Sequence, residues 1–166
     1  MTMKYWITFI GSSPFAVINT IWAACKIDGF VPDKLIFLVN RDLWAGWIND
    51  VKHWVPLVIS GYSSKSSEMV FHEVKETDFS TIKNAYRNYM KNLSKEDEVA
   101  IDITPGRKYM SAIAMEIGLS MNADHVYYLH LTDRQYENSP YPVIPVFRHT
   151  LIDLKKEFEE TAPRGL

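Results

Sequence analysis

The sequence predicts an α/β fold of the Rossmann-like, doubly wound type, with a mainly parallel sheet and helices on both faces. Short apolar runs alternate with segments of helical periodicity along the chain, as in repeated strand–helix units. The run at residues 34–40 is continuously apolar, which is typical of a parallel strand covered on both faces. Two strand-to-helix turns also carry a hydroxyl residue followed by proline, the signature of a helix start.

The first half of the chain contains three predicted strands, with a helix after each of the first two. The strands are predicted at residues 4–10, 34–40 and 68–74. The apolar face of the first helix comprises Phe15, Ile18, Trp22 and Cys25. Asp42 is the expected cap of the second helix, which ends or kinks at Pro56 before a polar loop at 60–67. This helix carries Leu43, Trp44, Trp47, Val51 and Trp54, and we expect its tryptophans mostly in the core.

The second half continues the alternation. A helix at 78–93 precedes a strand at 99–103, and the helix after that strand precedes another strand at 125–131. The buried face of the 78–93 helix is predicted to contain Phe79, Ile82, Ala85, Tyr86 and Tyr89. The next helix presents Met110, Ile113, Ala114 and Ile117. A polar loop at 132–141, a final strand at 142–147 and a charged helix at 151–160 complete the predicted elements.

The turn after the 99–103 strand has the composition of an anion site. Thr104 is the expected N-cap, and Pro105 is then at the first helical position, where its missing N–H costs nothing. Gly106 lets the backbone approach a ligand closely, and Arg107 and Lys108 add positive charge beside the free N–H groups. The alternative is an ordinary helix start with two solvated cations.

The same arrangement occurs after the first strand, where Ser13 takes the cap position and Pro14 the first helical position. Doubly wound sheets commonly place strands 1 and 4 side by side where the winding reverses, and ligands bind at that point. The two turns are therefore predicted to line one pocket. Its predicted lining is Ser12, Ser13, Thr104, Gly106, Arg107 and Lys108, with Asn40 and Arg41 nearby.

Composition limits the possible functions. The net charge of −2 excludes a protein that binds nucleic acid through a generally basic surface. Any recognition of an anion must therefore come from local geometry. The one cysteine, Cys25, excludes a disulfide framework and fits a reducing cytoplasm, where we place the protein. We expect no secretion signal and no membrane span. No residues have metal-ligand spacing, so neither a metal nor a cofactor is expected.

The second turn, from Asp102 to Met110, resembles a motif of the CRISPR-associated Rossmann-fold (CARF) family. That motif usually reads Asp-x-Thr-Gly-Gly-Thr-Lys-x-Met. Asp102, Thr104, Gly106, Lys108 and Met110 keep their places in it. Pro105 replaces the first glycine and Arg107 replaces the small hydroxyl residue, and both fit an anion site. The resemblance covers roughly residues 4–131 within one CARF-like domain spanning 1–166, with the last strand and helix at 142–161.

The resemblance implies a two-fold homodimer that binds a cyclic oligoadenylate, most often the four-adenosine ring, across the dimer axis. Some family members also cleave this messenger without a metal, through attack of a ribose 2′-hydroxyl on the adjacent phosphate. If the chain cleaves the messenger in this way, the catalytic candidates are Lys108, Ser12 and Ser13. The predicted ligand-binding residues are Gly11, Ser12, Ser13, Asn40, Arg41, Thr104, Pro105, Gly106, Arg107, Lys108 and Arg134.

Several other interpretations remain open. The chain is either a ring nuclease or a sensor that binds the messenger without cleaving it. A sensor would either regulate a separate effector or be a piece of a longer effector. The Arg-x4–6-His ribonuclease motif that such effectors often carry is absent from the sequence. A nucleotide-cofactor enzyme is disfavoured by the lack of Gly-x-Gly-x-x-Gly, and a regulator of duplex DNA by the lack of a basic face. His125 and His130 are candidate general bases, although strand histidines are more often packed.

Overall fold

The computed structural model describes residues 2–42 and 45–161. Within them the strands are β1 (Lys4–Ile10), β2 (Lys34–Asn40), β3 (Glu68–Val74), β4 (Glu98–Asp102), β5 (His125–Leu131) and β6 (His149–Asp153). The α-helices are α1 (Pro14–Ala23), α2 (Ala45–Ser60), α3 (Phe79–Lys91), α4 (Lys108–Ser120) and α5 (Leu154–Thr161). A π-helical turn, Ala24–Asp28, continues α1. None of the described helices combines the length and the apolar character that crossing a membrane requires.

All six strands form one sheet in the order β3-β2-β1-β4-β5-β6. The first five strands are parallel and β6 is antiparallel to β5 at the edge. Ile7 of β1 pairs with Ile36 of β2 on one side and with Ile101 of β4 on the other. The predicted doubly wound α/β fold is therefore confirmed, including the adjacency of the first and fourth strands where the winding reverses.

Alternate residues of the central strands face two separate helical layers. Trp6 and Ile10 of β1 lie in the cluster that includes buried residues of α1 and α2. Ile7 and Phe9 lie in the cluster that includes buried residues of α3 and α4. Both faces are thus covered, which is why β1 and β2 are almost continuously apolar. The layers hold the carboxyl ends of β1, β2 and β4 in fixed positions.

The predicted final strand at residues 142–147 is wrong. This segment contains two 3₁₀ turns, Tyr141–Val143 and Val146–Arg148, and the strand comes afterwards as β6. Pro142 and Pro145 explain the shift, because each lacks the N–H that a strand ladder needs. The last helix consequently begins at Leu154 and not at residue 151.

Some details of the helices differ from the prediction. Pro56 lies inside α2, which continues to Ser60, so the helix does not end there, and the alternative of a kink at Pro56 stays a prediction. Trp47 and Trp54 are half-buried, whereas Leu43 and Trp44 lie outside the described residues. Phe79 is 56% exposed and not buried as predicted. It is the first residue of α3 and packs at the surface against the Tyr109 ring, with 5.0 Å between centroids.

Candidate functional site

A cavity of about 550 Å³ lies at the carboxyl ends of β1, β2 and β4, where the winding of the sheet reverses. Eight of the predicted ligand-binding residues line it: Gly11, Ser12, Ser13, Asn40, Thr104, Pro105, Gly106 and Arg107. The lining is completed by Ile10, Ala16, Asp42, Trp47, Glu76 and Met110. The two turns singled out in the sequence therefore contribute to one cavity, as the strand order requires.

The two turns touch each other through backbone at two glycines. A Cβ atom on Gly11 would lie 3.1 Å from the backbone nitrogen of Gly106. Gly106 itself has φ of +93°, a conformation that L side chains rarely adopt. Glycine at both positions is what allows the β1–α1 turn and the β4–α4 turn to meet.

Hydrogen bonds within the β4–α4 turn and to β5 fix its position. Asp102 Oδ1 accepts a hydrogen bond from the Thr104 backbone N–H at 2.9 Å. The Thr104 hydroxyl oxygen accepts one from the Leu129 N–H of β5, also at 2.9 Å. The Ile103 N–H donates to the Tyr127 carbonyl oxygen at 2.9 Å, and the Ser111 hydroxyl donates to the Ile103 carbonyl oxygen at 2.8 Å. The shape of the turn is therefore set by the protein's own hydrogen bonds.

The predicted cap of α4 is wrong. The helix begins at Lys108 with Arg107 at the N-cap position, three residues later than Thr104. Gly106, in its left-handed conformation, cannot continue a right-handed helix begun at Pro105. The Thr104 hydroxyl is instead used by β5.

The start of α1 agrees with the prediction in position but not in bonding. Ser13 is the N-cap residue and Pro14 the first helical residue. The Ser13 hydroxyl makes no capping hydrogen bond and instead lies within hydrogen-bond distance of two acceptors, the Glu137 carbonyl oxygen at 3.3 Å and Asn138 Oδ1 at 3.4 Å. The first-turn N–H groups of α1 thus lack this side-chain cap at the rim of the cavity, where the helix dipole favours an anion.

Asp102 is a fully buried carboxyl group directly beneath the cavity. Its Oδ2 accepts from the Thr8 hydroxyl at 3.3 Å. Burial raises the pKa of Asp102 to about 7, against the lowering effect of the hydrogen bonds from Thr104 and Thr8. Nearby, burial and the Asp102 charge raise the pKa of Tyr86 well above its usual value. The Tyr86 hydroxyl has no hydrogen-bond partner among the residues that the structure describes.

Glu76 is a cavity residue that the sequence analysis missed. Its carboxylate forms an ion pair with Arg107 Nε and accepts a hydrogen bond from Asn40 Nδ2 at 2.8 Å. The Tyr109 hydroxyl donates to the Glu76 carbonyl oxygen at 2.7 Å. The sequence position of Glu76 could have indicated the cavity, because Glu76 follows β3 and the carboxyl ends of parallel strands share one edge of the sheet.

Three predicted ligand residues do not line the cavity. Lys108 is the first residue of α4, and within residues 2–42 and 45–161 its ammonium group has no hydrogen bond or ion pair. Arg41 forms an exposed ion pair with Glu73 at 2.6 Å. Arg134 is almost fully exposed and lies 3.8 Å from Glu137. The Ser13–Glu137 hydrogen bond nevertheless brings the turn that contains Arg134 beside the cavity.

Neither histidine candidate, His125 or His130, lines the cavity. His125 begins β5, at the opposite end of the sheet, and its Nδ1 lies 2.7 Å from Asp153 Oδ2. Asp28, His125 and Asp153 place metal-ligand types of atoms within 4.8 Å of one another. Lys156 Nζ lies 3.8 Å from an oxygen of each carboxylate, so this cluster already contains a counter-charge. We interpret the cluster as an ion-pair network that links β6 to β5.

No family model and no curated protein matches the sequence. The structure is similar to Can2 from Sulfobacillus thermosulfidooxidans in complex with cyclic tetra-adenylate, with a TM-score of 0.55 and 10% identity, covering 75% of this chain and 31% of that one. It is also similar to Enterococcus italicus Csm6 bound to cyclic hexa-2′-fluoro-hexa-dAMP, with a TM-score of 0.67 and 15% identity, covering 96% of this chain and 44% of that one. This chain spans less than half the length of either neighbour. Both neighbours share the fold of this chain, which confirms the Rossmann-like α/β fold that the CARF resemblance implies.

Proposed function

We propose that the chain binds a cyclic oligoadenylate, with cyclic tetra-adenylate as the first candidate, and cleaves it without a metal in type III CRISPR signalling in the cytoplasm. The observation that supports this most is the position of the cavity. It joins the two predicted turns at the carboxyl ends of β1 and β4, in a fold shared with two proteins whose structures contain cyclic adenylates or an analogue. The rigid, hydrogen-bonded β4–α4 turn fits a preorganised binding site.

In this proposal the phosphates bind at the rim of the cavity. Ser12 and Ser13 supply hydroxyl groups beside the first turn of α1, whose dipole favours anions. The Arg107 guanidinium, whose side chain is 72% exposed, offers a planar fork of donors to phosphate oxygens. Lys108 adds a second cation at the start of α4. Gly11, Thr104, Pro105 and Gly106 form the wall against which the ligand backbone rests.

The adenine bases need different partners. Asn40 carries both a donor and an acceptor at the cavity wall, which suits the edge of a base. Trp47 also lines the cavity, and aromatic side chains are the groups on which bases stack. Arg41 and Arg134, outside the cavity, are proposed to contact the part of the ring that extends beyond it.

The ligand's symmetry leads us to propose a homodimer. A ring of four identical nucleotides has two-fold symmetry, so two identical half-sites related by a two-fold axis bind it with the same contacts twice. Each chain then contributes one cavity and one pair of cations, Arg107 and Lys108. Neither half-site alone surrounds the whole ring.

The proposed cleavage requires no metal. The ribose 2′-oxygen forms a bond to the adjacent phosphorus while the bond from phosphorus to the 5′-oxygen breaks. The 2′-hydroxyl gives its proton to water and the leaving 5′-oxygen takes a proton from water, which gives a 2′,3′-cyclic phosphate and a 5′-hydroxyl. Ser12 and Ser13 hold the sugar and phosphate in line, and Lys108 stabilises the charge that builds on the phosphate.

The first test is incubation of the purified protein with cyclic tetra-adenylate in EDTA, followed by chromatography and mass spectrometry. Linear products that end in a 2′,3′-cyclic phosphate are expected. If neither binding nor cleavage occurs with this ring or with the six-adenosine ring, the proposal is wrong.

The second candidate is a CARF sensor that binds the messenger without cleaving it and regulates an effector. Two observations favour it: Lys108 does not line the cavity, and the chain spans less than half the length of Can2 or Csm6. In the same experiment this candidate predicts tight binding with an intact ring. An effector, either on a longer chain or as a separate partner, would then carry the activity.

A further inference from the structure

Glu76 places a negative charge in the cavity that the proposed function assigns to an anion. Its carboxylate joins residues from two different elements, since one oxygen pairs with Arg107 and the other accepts from Asn40 Nδ2 at 2.8 Å. Both partners are proposed ligand contacts. The Glu76 side chain is 22% exposed, whereas the Arg107 side chain is 72% exposed. The acid is therefore the more buried member of the ion pair, and the guanidinium is the one accessible to a ligand.

The position of Glu76 is set by its backbone. The Tyr109 hydroxyl donates to the Glu76 carbonyl oxygen at 2.7 Å, and the Glu76 N–H donates to Asn40 Oδ1 at 3.4 Å. Neither hydrogen bond involves the carboxylate. Replacing the carboxylate by an amide therefore changes the charge at this point and leaves the backbone anchors in place.

A carboxylate and a phosphate present similar pairs of oxygens to a guanidinium, so the two compete for the same donors. In the structure Glu76 pairs with Arg107. A phosphate that binds Arg107 must first displace Glu76. Ion pairs with an exposed member are weak, so this exchange is rapid and costs only a small part of the binding free energy.

We propose that Glu76 is an affinity-determining residue that occupies Arg107 as an internal counter-ion until a ligand phosphate replaces it. The inference rests on the proposed function, because it takes the ligand to be a phosphodiester such as cyclic tetra-adenylate. Its consequence is that removing the Glu76 charge strengthens ligand binding, although Glu76 contacts two proposed ligand residues. Any gain must also depend on Arg107.

The test is a calorimetric double-mutant cycle with cyclic tetra-adenylate, in EDTA and at low ionic strength. The proteins are wild type, Glu76→Gln, Arg107→Ala and the double variant. Glu116→Gln is the matched control, since Glu116 lies on α4 outside the cavity and, in the described part of the chain, has no ion pair with Arg107. Thermal melting of each variant checks that it is folded.

Glu76→Gln is expected to bind about three- to five-fold more tightly than wild type, in the upper part of the range for an ion pair with an exposed member. Glu116→Gln should change the affinity less than about two-fold, because it makes the same change of charge outside the cavity and frees no donor. The gain should vanish in the Arg107→Ala background. Weaker or unchanged binding by Glu76→Gln, or a gain that persists without Arg107, would overturn this inference alone. Absence of binding by every protein would overturn the proposed function, and this inference with it.

Discussion

The carboxylate of Asp102 accepts a hydrogen bond from the backbone N–H of Thr104 at 2.9 Å, so a fully buried acid fixes the turn that lines the cavity. Thr8 on β1 donates to the other carboxylate oxygen, which ties the first strand to the same turn. The acid thus connects the two strands between which the winding of the sheet reverses. Because the group is buried, its ionisation also affects stability.

The first prediction concerns this ionisation. Burial raises the pKa of Asp102 to about 7, above the value of 3.8 expected in the unfolded chain, so the folded state binds the proton more tightly. The contribution of the protonated Asp102 carboxyl group to stability is complete below about pH 4 and is lost as the pH rises through 7. Asp102→Asn removes this loss of stability, because an amide does not ionise. Its stability relative to wild type should therefore rise by roughly 3 kcal/mol from pH 5 to pH 8, at about 1.4 kcal/mol per pKa unit.

Urea denaturation at the two pH values measures this difference. Asp97→Asn is the control, because backbone hydrogen bonds from Met3 and Ser94 lower the pKa of Asp97 and keep it ionised at both. Its stability relative to wild type should not change between pH 5 and pH 8. Parallel profiles for Asp102→Asn and wild type would contradict the prediction.

Much of the fold could be predicted from periodicity and turn residues, and its failures have physical causes. β1, β2 and β3 have the predicted bounds, because their apolar runs end in polar or glycine-containing turns. The last strand was misplaced because an apolar run with Pro142 and Pro145 has strand-like composition but lacks ladder donors. Phe79 was placed in the core because helical spacing cannot show that the first turn of α3 lies at the surface.

The second prediction concerns Gly106. Alanine at φ of +93° is strained, so Gly106→Ala should lower the unfolding free energy by roughly 1–2 kcal/mol. Gly29→Ala is a matched control, since Gly29 also has a positive φ, of +63°, but no atom lies within 4 Å of its added Cβ. Both variants should lose stability in thermal melts, but only Gly106→Ala should also lose affinity for cyclic tetra-adenylate. Equal affinities in the two variants would mean that the shape of the turn does not matter for binding.

The candidate site was predicted less completely than the fold, for reasons that the contacts make clear. Adjacent β1 and β4 bring Gly11 and Gly106 together, and strand order alone implies this. The role of Thr104 was mistaken because its hydroxyl bonds to β5, which is distant in sequence. Glu76 was missed because an acid is unexpected in an anion site until its ion pair with Arg107 is seen.

The third prediction concerns Lys108, the proposed stabiliser of phosphate charge. Lys108→Ala should weaken binding of cyclic tetra-adenylate about ten-fold or more, the cost of losing a charge-assisted hydrogen bond, and should abolish cleavage. Lys91→Ala is the control, because it removes the same charge from the last turn of α3, at the other end of the sheet. Calorimetry and product analysis measure both effects. Unchanged binding and cleavage by Lys108→Ala would remove Lys108 from the proposed site.

The fourth prediction concerns assembly, because two identical half-sites require two chains. Light scattering should give a mass of twice the 19.2 kDa of one chain, and calorimetry should give one cyclic tetra-adenylate per two chains. Tighter association in the presence of ligand is also expected, since a ligand that contacts both chains stabilises the dimer by mass action. A monomer with and without ligand, binding one ring per chain, would contradict the two-half-site arrangement. In that case one cavity of about 550 Å³ would have to account for all the contacts to the ring.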